Sequence, residues 1–238
     1  DTANQRKHYF EEAVGNAIRK TMNDGIKRED LFIQTKFTYA DGQDHRLPYD
    51  INADIRTQVH QSFQSSLKHL QTDYLDSYLL HGPETIYRLT GKDLTAWKEM
   101  ELLHNEGKIK FLGISNVNIN QLKELYFKSK IKPKFVQNRC FAYTKWDKEI
   151  REFCNDNNII YQGFSLLTAN AYILSNQELI KIALKLNKTP AQVIFSFAIQ
   201  IGILPLTGTT NESHMKEDLD CNFYLSDEEL EFIQMIGV

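Results

Sequence analysis

The stretch that most constrains the fold is residues 74–83, where an apolar run ends directly in His81 and a Gly-Pro turn. An apolar run bounded by turn residues predicts a buried strand. A polar residue at the end of such a strand lies at the edge of a sheet or barrel, where α/β proteins hold their active sites. His81 is therefore the first candidate functional residue.

The same pattern recurs along the chain, because five further apolar runs are predicted as strands and most of them end in polar side chains. The polar residues at these ends are Lys36, Ser115, Asn116, Gln137, Asn138 and Thr207. Helical periodicity between the runs predicts helices at 10–22, 55–70, 94–105, 119–129 and 148–155. Two more helices are expected before residue 203, one from about Asn211, and a last one that opens with the capping box Ser226–Glu229.

Six strands that alternate with helices predict parallel βα units. No Gly-x-Gly-x-x-Gly motif follows a strand, so the sequence lacks the Rossmann fingerprint. A chain of 238 residues suits one α/β barrel domain. A closed barrel needs eight strands, and Asp1 stands where another strand would just have ended. We therefore predict a single α/β domain over 1–238, a (β/α)8 TIM barrel of parallel strands that lacks its first two strands in this chain.

The composition excludes several classes of function. A net charge of −3 and a pI of about 6.2 show no basic excess, so no nucleic-acid partner is expected. The sequence contains neither a run of 18 apolar residues nor a signal peptide, so we expect no membrane association and a cytoplasmic location. Cys140, Cys154 and Cys221 are widely spaced and fit neither a zinc site nor a disulfide framework, so no metal is expected.

Short motifs near the predicted strand ends resemble those of the aldo-keto reductase family along essentially the whole chain. They are Asp1-Thr2-Ala3, Tyr9 before Glu11–Gly15, Thr35-Lys36, Leu80-His81, Gly113–Asn116 and Val136–Asn138. Each motif is weak alone, but their order makes the resemblance specific. It implies an NAD(P)H-dependent oxidoreductase that reduces an aldehyde or ketone to an alcohol. The partners would be a small-molecule carbonyl substrate and NADP(H) or NAD(H), in a monomer or weak homo-oligomer.

The resemblance also implies a catalytic tetrad of Asp1, Tyr9, Lys36 and His81. Tyr9 would give its phenolic proton to the carbonyl oxygen as hydride reaches the carbon. A free tyrosine has a pKa of about 10. We therefore expect the Lys36 ammonium to lower the pKa of the phenol, with Asp1 holding the lysine charged. His81 would donate a hydrogen bond to the carbonyl oxygen.

The family's cofactor contacts map onto a second set of residues. Ser115, Asn116 and Gln137 match positions that hydrogen-bond the nicotinamide carboxamide, and Phe164 matches the aromatic residue that stacks on the ring. The other implied contacts are Ser165 and Leu167 at the pyrophosphate, Leu206, Thr207, Gly208, Thr209 and His214 near the adenosine phosphate, and Glu217 and Asp218 at the adenine.

Two features depart from the family pattern. Three extra residues separate Asp1 from Tyr9, and a shift of one residue in register would bring His8 to the site instead. Leu206 stands where members that prefer NADPH carry a lysine, and His214 stands near an arginine position. The sequence therefore leaves the preference between NADPH and NADH open.

Other interpretations also remain open at the level of sequence. Taken singly, Tyr9, Lys36 and His81 fit ordinary packing or solvated positions. A non-catalytic, cofactor-binding regulatory or structural member of the same fold is the alternative function, because fold does not fix function. A different barrel enzyme, a phosphate-binding lyase that forms a Schiff base at Lys36, is a further alternative. The complete tetrad favours the reductase.

Overall fold

A computed structural model describes residues 1–238, in which six strands alternate with nine α-helices. The strands are β1 Gln34–Phe37, β2 Leu75–Leu80, β3 Ile109–Ser115, β4 Phe135–Arg139, β5 Ile160–Phe164 and β6 Ile203–Leu206. The helices are α1 Glu11–Asn23, α2 Ile55–Leu70, α3 Gly91–Asn105, α4 Ile119–Lys128, α5 Lys148–Asp156, α6 Gln177–Leu186, α7 Pro190–Gln200, α8 Glu212–Leu219 and α9 Asp227–Met235. The strand order follows the chain from β1 to β6. The predicted alternation of strands and helices is confirmed.

The chain forms two compact units, residues 1–135 and 136–238. In the first unit β1, β2 and β3 are parallel neighbours, with Lys36 aligned to Leu79 and Leu80 aligned to Ile114. In the second unit β5 and β6 are parallel, with Phe164 aligned to Leu206. Parallel neighbours place their carboxyl ends at the same edge of a sheet. No helix in either unit combines the length and apolar character that crossing a membrane requires.

Helix α2 shows how local sequence sets the boundaries of an element. The Asp54 side chain accepts a hydrogen bond from the backbone N–H of Thr57, which satisfies one of the unpaired donors at the helix start. Val59, Phe63 and Leu70 are fully buried, as the helical spacing of apolar residues predicts. The observed bounds of α2 equal the predicted ones.

The helical periodicity of α1 predicts a buried apolar face, but the structure buries none of its members, Val14, Ala17, Ile18 and Met22. Its buried residues are Glu11 and Gly15, whereas Met22 at its end is 37% exposed. A Cβ on Gly15 would lie 2.0 Å from the carbonyl oxygen of His69, at the end of α2. The two helices therefore meet through their backbones at Gly15, which only a residue without a Cβ permits. Helix α1 is held by the close approach of its backbone to α2 at Gly15 and by the buried carboxylate of Glu11. An apolar stripe does not hold it.

In the second unit, the chain before α5 holds an uncommon backbone conformation. Lys145, Trp146 and Asp147 have φ angles of 54°, 59° and 57°, in the left-handed region. Such residues cost about 1–3 kcal/mol each unless the surrounding structure fixes them. Trp146 is fully buried, and its indole Nε1–H donates to the carbonyl oxygen of Ile233 at 2.9 Å. Burial of this indole holds the turn in place.

Candidate active site

Lys36 forms the centre of the polar cluster at the carboxyl ends of β1 and β2. Its side chain is completely buried, and Nζ lies 2.8 Å from both carboxylate oxygens of Asp1 and 2.8 Å from the carbonyl oxygen of Thr2. Gln34 also donates to Asp1, at 2.7 Å. Burial lowers the pKa of Lys36 to about 7, although the nearby Glu11 carboxylate acts in the opposite direction. Three acceptors match the three N–H donors of an ammonium group.

Tyr9 lies between Lys36 and His81. Its ring centroid is 5.2 Å from Lys36 Nζ, and its ring meets the His81 imidazole edge-on with centroids 5.8 Å apart. The backbone N–H groups of His8 and Tyr9 both donate to the carbonyl oxygen of Gln5, and this turn takes up the extra residues after Asp1. Tyr9 therefore contacts both Lys36 and His81, whereas His8, the residue that a shift in register would bring to the site, is exposed.

The pKa of Tyr9 differs in direction from the sequence expectation. We expected the Lys36 ammonium to lower it, but burial raises the pKa of the phenol instead. Desolvation disfavours the charged phenolate. The phenol therefore holds its proton firmly at neutral pH.

His81 follows the last residue of β2, and its backbone N–H donates to the carbonyl oxygen of Phe37 at 2.9 Å. Its Nδ1 lies 2.7 Å from the hydroxyl oxygen of Thr38. Burial lowers the pKa of His81 to about 3, and the positive charges of Lys36 and His8 act in the same direction. The imidazole is therefore neutral. When the Thr38 hydroxyl donates to Nδ1, the proton of the imidazole resides on Nε2.

Two residues of this environment were not predicted from the sequence. Thr38 is the partner of His81, and a threonine after a strand carries no distinctive signal in the sequence. Glu11 is 2% exposed, and its carboxylate accepts hydrogen bonds from Thr35 at 2.5 Å, Ser66 at 3.0 Å and His69 at 3.0 Å. These donors come from β1 and α2, so the contacts of Glu11 depend on tertiary structure alone.

A cavity of about 610 Å³ opens beside His81 within the first unit. We call it the His81 cavity. Its lining comes from six separate parts of the chain and comprises Gln5, Thr38, Tyr39, Ala40, Asp41, Gly42, Ile51, Ala53, Asp54, Ile55, Gln58, His81, Gly82, Pro83, Glu84, Lys92 and Asn116. Tyr9 and Lys36 do not belong to this lining. The imidazole of His81 is thus the part of the predicted tetrad that faces the cavity.

Two of the predicted cofactor contacts lie at the end of β3 in the first unit. Ser115 is fully buried, and Asn116 is exposed with a φ of 53°. The Asn116 amide nitrogen donates to the carbonyl oxygen of His81 at 2.7 Å and to the Ser115 hydroxyl at 3.1 Å. The structure therefore joins Ser115 and Asn116 to the backbone of His81.

The predicted nicotinamide and pyrophosphate contacts of the second unit lie within β4 and at the end of β5. Gln137 is 2% exposed and donates to the side-chain oxygen of Gln162 at 3.0 Å. Phe164 is the last residue of β5 and is half-buried. Ser165 follows with a φ of 58°, and Leu167 comes just before a short 3-10 helix.

The predicted adenosine contacts divide into two groups. Thr207, Gly208, Thr209 and Asp218 line a groove of about 470 Å³ together with Phe195, Ile199, Pro205, Met215 and Leu219. We call it the β6–α8 groove. The Thr207 hydroxyl donates to Asp218 at 2.9 Å, and this carboxylate is the one charged group of the lining. Leu206, His214 and Glu217 do not line the groove, and His214 is exposed on α8.

Known proteins are similar to this chain in sequence and in fold. The model of the "Aldo/keto reductase family" matches residues 1–237. The chain is 34% identical to a glyoxal reductase of Bacillus subtilis, over 95% of the chain and 75% of that protein. It is 32% identical to the 9,11-endoperoxide prostaglandin H2 reductase of Trypanosoma cruzi, over 95% of the chain and 74% of that protein.

Solved structures agree with the sequence comparison. The aldo-keto reductase AKR2E5 in complex with NADPH superposes with a TM-score of 0.83 at 25% identity, and covers 100% of this chain and 74% of that one. An aldo-keto reductase from a deep-sea metagenome gives a TM-score of 0.81 at 27% identity, over 96% of this chain and 78% of that one. The predicted α/β fold class with parallel strands, of the TIM-barrel type, is confirmed. The chain belongs to the aldo/keto reductase family.

Proposed function

We propose that this protein reduces an aldehyde or ketone to an alcohol with NAD(P)H, and that Tyr9 is the general acid. The observation that best supports this proposal is the placement of the Lys36 ammonium 5.2 Å from the Tyr9 ring, fixed by two oxygens of Asp1. The reduced nicotinamide supplies the hydride when bound, and the protein supplies a proton and holds the carbonyl oxygen.

Tyr9 carries the proton to the carbonyl oxygen. Because burial raises the pKa of the phenol, the residue is fully protonated before reaction. As the oxygen gains negative charge it becomes basic enough to take that proton. The Lys36 ammonium then stabilises the phenolate that Tyr9 leaves behind. Asp1 keeps the ammonium in this position throughout.

His81 orients the carbonyl group. Nδ1 of its neutral imidazole lies 2.7 Å from the Thr38 hydroxyl oxygen, and with that hydroxyl as the donor, Nε2–H is available as a donor toward the His81 cavity. A fixed donor at the carbonyl oxygen stabilises the charge that develops there. Because the pKa of His81 is lowered to about 3, the residue does not compete with Tyr9 as the acid.

The β6–α8 groove fits the adenosine part of a dinucleotide by its apolar lining and its two threonine hydroxyls. A 2′-phosphate needs cations, and the one charged side chain in the lining is the Asp218 carboxylate. We therefore propose that NADH binds at least as tightly as NADPH. The contacts of Ser115, Asn116, Gln137, Phe164, Ser165 and Leu167 with the cofactor remain predictions for substitution experiments.

The test follows the absorbance of NADH and NADPH with a panel of aldehydes and ketones that includes glyoxal. Tyr9→Phe should lower kcat by about 10²–10⁴-fold, the range of general acid catalysis, with little change in cofactor affinity. Tyr87→Phe is the matched control, because Tyr87 is 81% exposed. Equal kcat in Tyr9→Phe would refute the role of Tyr9. Tight cofactor binding without turnover of any carbonyl would favour the regulatory alternative.

A further inference from the structure

Glu11 is a buried carboxylate to which the proposed reaction gives no direct role. It is the first residue of α1, two residues after Tyr9, and its side chain is 2% exposed. Its carboxylate oxygens accept hydrogen bonds from Thr35 at 2.5 Å, Ser66 at 3.0 Å and His69 at 3.0 Å. Hydrogen bonds to a carboxylate stabilise its charged form. Glu11 therefore carries a negative charge in the interior of the first unit.

The hydrogen-bond partners of Glu11 balance this charge only at low pH. Thr35 and Ser66 contribute neutral hydroxyl groups, and His69 is a cation only while its imidazole is protonated. The hydrogen bond to Glu11 raises the pKa of His69, but the imidazole loses its charge as the pH rises through that pKa. At higher pH none of the three donors to Glu11 is positively charged. The other ionisable groups near this pair are Glu12, Arg6 and Tyr78.

Lys36 is the buried cation that directly follows Thr35 in β1, and both residues are completely buried. Consecutive side chains of a strand point to opposite faces. The Thr35 hydroxyl therefore contacts Glu11 on one face of β1, and the Lys36 ammonium contacts Asp1 on the other. Charges in the protein interior are screened much less than charges in solvent. The carboxylate of Glu11 thus acts on Lys36 through the buried strand.

Two carboxylates face the single ammonium group of Lys36. The ionisable groups around it are the carboxylate and the amino group of Asp1, Tyr9, His81 and Glu11. Burial raises the pKa of Tyr9 and lowers the pKa values of His81 and of the amino group. The Asp1 side chain is 21% exposed, so water screens part of its charge. Glu11 is therefore the negative charge near Lys36 that solvent screens least.

We infer that Glu11 is a positioning residue of the active site, whose buried charge holds Lys36 in the ammonium form that stabilises the Tyr9 phenolate. The effect on Lys36 stands by itself, whereas the effect on activity rests on the proposed function. Glu11 does not line the His81 cavity and acts only through Lys36. Burial lowers the pKa of Lys36 to about 7, and the Glu11 charge opposes this fall. The Glu11 charge therefore sets the highest pH at which the protein is active.

Two variants change the charge next to Thr35 in different ways. Glu11→Gln keeps the size of the side chain and an acceptor oxygen but removes the charge. His69→Arg keeps the buried carboxylate and places a permanent cation beside it, so it decides the question if Glu11→Gln does not fold. Their matched controls are Glu11→Asp, which keeps the charge, and His69→Gln, which is neutral. Glu99→Gln removes a different buried carboxylate, because Glu99 is 6% exposed and lies 3.1 Å from His60.

Two readouts are compared over the pH range in which His69 and Lys36 titrate. NMR of the lysine side-chain Cε and Nζ nuclei gives the pKa of Lys36 without any turnover, and Lys36→Met assigns the signal. The second readout is kcat for carbonyl reduction with saturating reduced cofactor. It gives the alkaline limb of the activity profile, where kcat falls as Lys36 loses its proton.

Glu11→Gln should lower both the pKa of Lys36 and the alkaline limb of kcat by about one pH unit, the lower end of the effect of a neighbouring charge. The loss of kcat should therefore grow with pH, from little on the acid side to about tenfold on the alkaline side. A purely structural role would instead lower kcat by the same factor at every pH. His69→Arg should shift both values in the same direction by a smaller amount, and the three control variants should lower neither value.

Several results would overturn the inference. An unchanged pKa of Lys36 in Glu11→Gln and His69→Arg would exclude Glu11 as the source of the charge effect. An equal fall in Glu99→Gln would assign the shift to general loosening of the fold. A lower pKa of Lys36 with an unmoved alkaline limb would refute the link to activity. If the unsubstituted protein reduced no carbonyl, the proposed function would fail, and the NMR titration would still decide whether Glu11 holds Lys36 charged.

Discussion

Replacement of Gly15 by alanine tests whether the packing of α1 on α2 sets the position of Tyr9. The added Cβ would lie 2.0 Å from the carbonyl oxygen of His69 and 3.0 Å from Leu70 Cα, and both are backbone atoms that cannot rotate away. Ordinary contact begins at 3.4 Å, so α1 must move by about 1.4 Å, the difference between 3.4 and 2.0 Å. Tyr9 comes two residues before α1 and must follow this movement.

Two opposing contributions set the expected change in the free energy of unfolding of Gly15→Ala. Overpacking against backbone costs about 3 kcal/mol, at the upper end of the usual range. Alanine is favoured over glycine inside a helix by about 1 kcal/mol. We therefore expect Gly15→Ala to lower the free energy of unfolding by about 2 kcal/mol. A displacement near 1 Å at a reacting group costs on the order of 10²-fold in rate, so kcat should fall by about 10- to 100-fold.

The assay combines urea unfolding with steady-state kinetics on the same preparations. Gly91→Ala is the matched control, because Gly91 opens α3 and no heavy atom lies within 4 Å of the added Cβ. That variant should be as stable as the unsubstituted protein or slightly more stable. Unchanged stability in Gly15→Ala would refute the close packing of the two helices. The expected destabilisation with an unchanged kcat would refute the link from α1 to Tyr9.

Three further outcomes are expected. Thr38→Val removes the hydroxyl that faces His81 Nδ1 and should lower kcat/KM by about 2- to 12-fold, which is the effect of losing one hydrogen bond. Thr38→Ser should retain activity, and equal losses in both variants would contradict the conclusion that the Thr38 hydroxyl keeps the His81 proton on Nε2. The hydrogen bond to Glu11 raises the pKa of His69, so the protonated imidazole stabilises the folded protein. This stabilisation is complete below the usual histidine pKa of about 6.5 and is lost as the pH rises through the pKa of His69 in the folded protein. Thermal melts should show a Tm that falls over that pH interval, with a smaller fall in His69→Gln. Asp218→Asn removes the carboxylate of the β6–α8 groove and should tighten NADPH binding by up to about fivefold, the effect of one surface charge, with a smaller effect on NADH binding. Fluorescence titration measures both Kd values, and equal effects on the two cofactors would mean that the 2′-phosphate binds elsewhere.

Strand ends could be predicted from the sequence because the signal is local. An apolar run that stops at a polar residue and a turn defines the end of β2 at Leu80 and the position of His81. The start of the last helix was also predictable, because α9 begins directly after the capping box at Ser226. These features need only neighbours in sequence.

The remaining features could not be predicted because their causes lie far apart in the chain. Glu11 is buried only because Thr35, Ser66 and His69 converge on its carboxylate from other elements. The helical periodicity of α1 favoured an apolar face, but a glycine contact decides how that helix packs. The buried, unpartnered side-chain oxygen of Gln5 is likewise a property of the folded chain, because it depends on every neighbour that surrounds it.

The surroundings of Lys36 also bear on how an enzyme that handles aldehydes avoids damage by its own substrates. An aldehyde condenses with an uncharged primary amine to an imine and releases water, and an ammonium group cannot react because its nitrogen has no free electron pair. Asp1 and Thr2 accept from all three N–H donors of the ammonium form of Lys36 and so favour that unreactive form. Because burial lowers the pKa of Lys36 to about 7, about half of the amine is uncharged at neutral pH, and the protection is lost fully in alkaline solution. Prolonged incubation with aldehyde should therefore inactivate the protein faster at high pH, with the modification on Lys36.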